Sequence, residues 1–289
     1  MVCYVAVLYT LVKHRKNSHL SSSYFKLCIS LGAIDLLGAL NDKLVISPRM
    51  TSWNFDVYAK FDPLLKSVTN YLSWYVTVNQ TFCITLLTFN RFLAIATPHK
   101  YDKVWTWKLV TAGVIWQWSF ALVATSPMMI YSSGYYHLNS NTSQVHYIHA
   151  HQKQIELAYA VAGSYSFLLT LVLGFLYFLA FRKAQSHRKK VRAVGNSSSQ
   201  RRMGREVKLA VSGLVIVVEL FCATTIAAAL TANGDFTRYF VFYSVTRDVF
   251  TLSNPYLLLV CSCGLREKIV ETLLCGSFGR MISAVSKRT

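Results

Sequence analysis

Acidic residues are what this sequence has least of. Only 12 of its 289 residues are Asp or Glu, against 30 Lys and Arg, and the formal net charge is +18. Charged residues of both signs together make up 15%, where a soluble domain averages about a quarter. Residues 67–90, 109–131 and 157–181 contain no ionised side chain. Each run exceeds the roughly 18–20 residues that an apolar helix needs to cross a bilayer core. Several such runs in one short chain leave too little material for a water-facing surface, which excludes a soluble globular fold.

Other absences narrow the class further. Prolines number five, Pro48, Pro63, Pro98, Pro127 and Pro255, and no internal repeat is visible. That argues against the paired broken helices by which many secondary transporters are recognised. Of seven cysteines, Cys3, Cys28, Cys83 and Cys222 fall in apolar segments, and Cys261, Cys263 and Cys275 fall at or beyond the end of the last one. None lies in an outer loop, so no external disulfide framework is available. Cys261 and Cys263 are too close for a zinc pair and have no partner pair, so neither a metal nor a cofactor is expected.

What is present is a series of apolar segments. They predict an all-α fold, a single seven-transmembrane helix bundle over residues 1–289. The spans are expected near 1–12, 24–46, 67–96, 109–131, 156–181, 207–232 and 239–263. A third intracellular loop takes 182–206, and 264–289 forms an amphipathic eighth helix on the inner membrane surface with a cytoplasmic tail. The first segment is only about 18 Å long as helix, against a core of about 30 Å. It is read as the inner part of a truncated first helix whose outer part the sequence does not include.

Lys and Arg set the orientation. Segments 13–22, 91–108, 182–208 and 264–289 hold twenty-two of them, the alternate loops hold five, and Lys26, Lys43 and Arg247 lie within spans. The positive-inside rule then places the amino terminus outside and the carboxyl terminus in the cytoplasm. Because the excess charge flanks the spans, anionic membrane lipid is its expected partner and nucleic acid is not. On the outer side Asn141-Thr142-Ser143 forms a glycosylation sequon, and on the inner side Cys275 is a candidate for palmitoylation.

A charge at mid-bilayer costs at least about 2.5 kcal/mol on insertion scales, so each intramembrane ionisable group needs a reason. Asp35 sits near the middle of span two, Glu219 in the middle of span six, and Arg247 and Asp248 in span seven. Glu219 and Arg247 are read as an interhelical ion pair, which leaves Asp248 to meet a ligand. The alternative is a channel or proton-coupled transporter that uses Glu219, Arg247 and Asp248 as a charge pathway. An enzyme would need a catalytic set at one depth, and the only cluster, His146, His149 and His151, lies in an outer loop.

The run "NRFLAIATPHKY" (residues 90–101) resembles the end of helix three in rhodopsin-like G-protein-coupled receptors. "LGAIDLL" around Asp35 resembles their second-helix aspartate motif, and Asn254-Pro255 resembles their seventh-helix Asn-Pro step. Within that group, "SSSYFKLCISLGAIDLL" with "LTFNRFLAIATPHKYDKVW" is most similar to nematode serpentine chemoreceptors of the srv class, in the srg superfamily. The resemblance implies a plasma-membrane chemosensory receptor for an unidentified small molecule, with a heterotrimeric G protein as partner. Arg91, Asn90, Glu206, Asp35, Asn254 and Pro255 would form its coupling and switch elements. Tyr71, Trp74, Tyr75, Ser244 and Asp248 are the candidate ligand-pocket residues. The chain departs from the family pattern at Asn90, which replaces the usual acid and leaves Glu206 as the expected partner of Arg91. No tyrosine stands two residues beyond Tyr256, and Asp248 stands where opsins carry the retinal lysine, so opsin chemistry is excluded.

Overall fold

The computed structural model describes residues 2–15, 22–46, 64–131, 134–139, 144–149, 152–194, 197–233, 236–262 and 264–272. Helix α1 is Val2–Lys13, and α2 is Ser23–Asn41, which ends in a π-helical turn Asp42–Ile46. Next come α3 (Leu64–Ala96), the short α4 (Pro98–Val104) and α5 (Trp107–Tyr131). After the strands β1 (Gly134–Asn139) and β2 (Gln144–His149) the chain continues as α6 (Gln152–Val194), α7 (Ser197–Asn233) and α8 (Phe236–Cys261). The last described helix, α9 (Gly264–Thr272), lies at 102° to α8.

Seven helices, α1, α2, α3, α5, α6, α7 and α8, stand side by side as a bundle. α3 is its axle and touches α2, α5, α6 and α7, while α8 closes the ring against α1 and α2. Among the described residues, three stretches, Ser23–Leu44, Trp107–Met129 and Phe167–Ser186, are long and apolar enough to cross a membrane on composition alone. α3, α7 and α8 are long enough but interleave polar groups with apolar ones. Those polar groups turn inward: Asp35, Asn79, Gln80, Asn90, Arg91, Gln117, Arg247 and Asn254 are buried, while Trp116, Val123, Leu168 and Val260 are more than half exposed. A bundle with a polar interior and an apolar exterior is what a lipid solvent selects.

Local chemistry sets the breaks. The residue before a proline is pushed away from helical geometry, and Thr97 (φ −138°, ψ 62°) ends α3 just before Pro98 opens α4. Thr106 then caps α5, its Oγ1 accepting from the Leu109 amide at 3.4 Å. The start of α2 is tied to this turn: Ser23 Oγ donates to the Trp105 carbonyl at 3.1 Å, and Lys26 Nζ lies 4.3 Å from the Trp107 ring centroid. At the far end Ser262 caps α9 by accepting from the Leu265 amide at 3.3 Å, and Leu265 is fully buried.

Two expectations need amending. Residues 182–206 are not a loop among the described residues. α6 runs 43 residues, roughly 65 Å or twice the bilayer core, and α7 begins again at Ser197. The apolar run stops at Phe181, but the Arg, Lys, Ala and Gln that follow are good helix formers whose charges water solvates, so the helix continues. In addition, the outer segment 132–155, expected as a loop, carries an antiparallel hairpin that pairs Gly134 with His149 and Asn139 with Gln144. His146 and His149 lie on its second strand, and their side chains are outside the described residues.

Candidate functional site

Arg91 ends the charge-free part of α3 and is 3% exposed. Its guanidinium carbon lies 3.5 Å from the centroid of the Tyr24 ring of α2, close enough for a stacked cation–π contact. Tyr177 of α6 is fully buried against α7. It fits there because position 213 on α7 is glycine, where a Cβ would stand 2.7 Å from Tyr177 Cζ. Asn90 is fully buried, its Oδ1 accepting from the Tyr101 hydroxyl at 3.2 Å. Glu206 lies on α7, and its side chain falls outside the described residues.

Asp35 organises the middle of the bundle. The hydroxyl of Tyr4 on α1 donates to one carboxylate oxygen, as does Asn254 Nδ2 of α8 at 3.5 Å. Gln80 Nε2 of α3 donates to the other at 2.6 Å. Four helices therefore converge on one 2%-exposed carboxyl group, and three donors replace the water it lost. Pro255 is buried beside Asn254, and α8 continues through it.

The end of the bundle where α2 closes holds a reciprocal charge ladder. Asp42-Lys43 closes α2 with acid then base, and Arg247-Asp248 on α8 presents base then acid. Arg247 Nη1 pairs with Asp42 Oδ1 at 3.0 Å, and Lys43 Nζ pairs with Asp248 Oδ2 at 2.5 Å. The inner rung is desolvated, with side chains 10% and 13% exposed, while the other rung is open at 43% and 35%. Gly38 lies one turn away, where a Cβ would stand 2.8 Å from Val76 Cγ1, so the glycine admits the close approach of α3.

The ladder corrects the expected Glu219–Arg247 pair. Glu219 accepts instead from the Ser253 hydroxyl at 2.6 Å. Ser253 is six residues from Arg247, about 9 Å along the axis, so the two charges sit at different depths. Asp248 is not a spare acid either, because Lys43 holds it. Glu219, Arg247 and Asp248 consequently form no continuous relay. Among the pocket candidates, Tyr71 stacks on Tyr75 at 6.3 Å, and Tyr75 meets Trp118 of α5 edge-on at 6.2 Å. Both pack toward α5. Trp74 is half-buried on α3, and the side chain of Ser244 lies outside the described residues, as do Asn141 and Cys275.

Sequence reasoning missed Tyr24, Tyr4, Gln80, Asp42 and Lys43. The ladder had a signal, two adjacent charge pairs of opposite order in two apolar segments. Tyr24 had none beyond its place on an inner helix end.

The profile of the serpentine type 7TM GPCR chemoreceptor Srv family matches residues 1–275. The chain belongs to that family. No curated protein matches this Srv chain. Among solved structures it is similar to the crystal structure of squid rhodopsin, with a TM-score of 0.69 and 17% identity over 94% of this chain and 82% of that one. The likeness is one of fold. The Srv chain is a multi-pass membrane protein of the G-protein-coupled receptor type, in a family of receptors and not of enzymes.

Proposed function

We propose that this Srv chain receives an external chemical cue and passes it to a heterotrimeric G protein at the cytosolic face. The observation that carries the reading is the buried Arg91 near the end of the axle helix, in contact with α2, on a helix that also packs against α6 and α7. A small outward shift of α7 would change its surroundings from ring and hydroxyl to an open crevice. A guanidinium with several fixed donors can then support an incoming helix end. A cue bound between the outer ends of the helices acts by favouring one arrangement through differential contacts. Trp74 and Ser244 are its candidate neighbours, and Glu206 is the proposed second partner of Arg91 at the foot of α7.

In this reading the amino terminus and the hairpin face outward, where Asn141 is open to glycosylation. The basic extensions of α6 and α7, together with α9 and Cys275, face the cytosol and its anionic lipid. The plasma membrane of a sensory cilium is the expected location. The test is guanine-nucleotide exchange on purified heterotrimers by membranes carrying the chain, across an odorant panel, with Arg91→Ala as control. Exchange that needs both a cue and Arg91 supports the proposal. Cue-evoked exchange undiminished in Arg91→Ala, or labelling of Lys189 from outside an intact cell, overturns it.

A further inference from the structure

Four acids lie in the spanning part of the bundle, and three of them are answered. Asp35 has three donors, Asp42 has Arg247, and Asp248 has Lys43. Glu219 of α7 is half-buried, and among the described residues no cation comes within ion-pair distance of it. Its partner is a neutral hydroxyl, Ser253 of α8, which donates to Oε2 at 2.6 Å. A carboxylate can accept at about four positions, and a charge so thinly compensated is costly in an apolar medium.

Ser253 also lines a groove on α8. The groove holds about 350 Å³ and is bounded by Val245, Asp248, Val249, Leu252, Ser253 and Tyr256. Val245, Val249, Leu252 and Tyr256 recur at steps of four, three and four, so they share one face of the helix. Val245, Val249 and Tyr256 are more than half exposed, and this face therefore opens to lipid. The groove is apolar along roughly 12 Å of helix from Val245 to Ser253 and becomes polar where Ser253 leads to Glu219. Its lining carries no positive charge.

We propose that the groove binds an amphiphilic amine that enters from the bilayer. The tail lies along Val245, Val249 and Leu252, and the ammonium donates to Glu219 and to the Ser253 oxygen. The ligand then supplies the cation that Glu219 lacks. It also ties α7 to α8, a contact whose strength depends on how those helices stand to each other. The amine as the external cue rests on the receptor reading above, whereas the binding site does not.

The probe is dodecylamine with a diazirine on its tail, photolysed with the full chain in lipid nanodiscs and mapped by mass spectrometry. Labelling is expected on α8 between positions 245 and 256. Dodecylamine should compete at least about tenfold better than dodecanol, the factor a charge-assisted hydrogen bond supplies. Glu219→Gln should abolish that preference. Val249→Trp, at an exposed position where folding is not at stake, should fill the groove and remove the α8 labelling. It is the deciding variant if Glu219→Gln does not fold. Equal competition by dodecanol would mean that the groove holds only bilayer acyl chains, and would overturn the proposal. So would an amine preference that persists in Glu219→Gln, labelling that survives Val249→Trp, or labelling spread evenly over the lipid-facing helices. Nucleotide exchange on a purified heterotrimer is read from the same nanodiscs. Selective labelling with no exchange under any cue leaves the amine site standing and removes the receptor reading. Exchange evoked by other cues without selective labelling does the reverse.

Discussion

Truncating Arg247 to methionine tests the charge ladder most directly. The Asp42–Arg247 rung is 3.0 Å long with both side chains nearly buried. Removing one member of such a pair strands the other charge in a medium that cannot solvate it, at a cost of about 3–5 kcal/mol. The neighbouring rung, Lys43 with Asp248, is closer at 2.5 Å but far more open to solvent. Solvent screening holds a pair of that kind to about 0–1 kcal/mol. Proximity alone would rank Lys43 first, whereas burial ranks Arg247 first. For a chain of this size each kcal/mol moves a thermal midpoint by about 2–4 °C. Arg247→Met should therefore lower the midpoint of the detergent-solubilised protein by on the order of 10 °C, and Lys43→Met by about 2 °C. The double variant Asp42→Asn with Arg247→Met removes both charges and should recover most of the loss. A parallel cycle with Glu219→Gln and Arg247→Met should be additive within about 0.5 kcal/mol, because those groups do not touch. Equal effects for Arg247→Met and Lys43→Met, or strong coupling of Arg247 to Glu219, would refute the reasoning.

Gly213→Ala should destabilise by about 1–3 kcal/mol through overpacking against Tyr177, and pairing it with Tyr177→Phe should restore part of the loss in the same melting assay. Asp35→Leu leaves the Tyr4, Gln80 and Asn254 donors without their acceptor, each at a cost of about 1–3 kcal/mol; Asp35→Asn, which keeps an acceptor oxygen, should cost clearly less on melting. Spin-label mobility scanned through positions 183–194 should oscillate with a period near 3.6 residues, as expected for the α6 extension, and a flat, mobile profile would restore the loop.

The bundle was legible in the sequence because lipid imposes a one-dimensional rule. A spanning segment must be helical and largely apolar, whatever it packs against, so seven segments follow from composition. Arg91, Asp35 and Asn254 were legible for a related reason, since a polar group inside an apolar run has few explanations. The end of α6 was not legible, because the end of the apolar run marks the membrane boundary and not the end of the helix. The helix expected from residue 264 onward is present over Gly264–Thr272, with Leu265 buried.

Which polar groups meet each other was a question only the tertiary structure decided. Arg247 could have turned to Glu219, Asp42 or Asp248, and composition is silent on that choice because it depends on the depth at which each group sits. Asp35 as the meeting point of four helices, and the Tyr24 ring beneath Arg91, depend equally on rotations and heights that no single helix encodes. The physical reason is one of range. Transfer of a segment into lipid is a local free energy summed along the chain, while an ion pair or a cation–π stack is a contact a few ångströms long between residues that may be hundreds of positions apart.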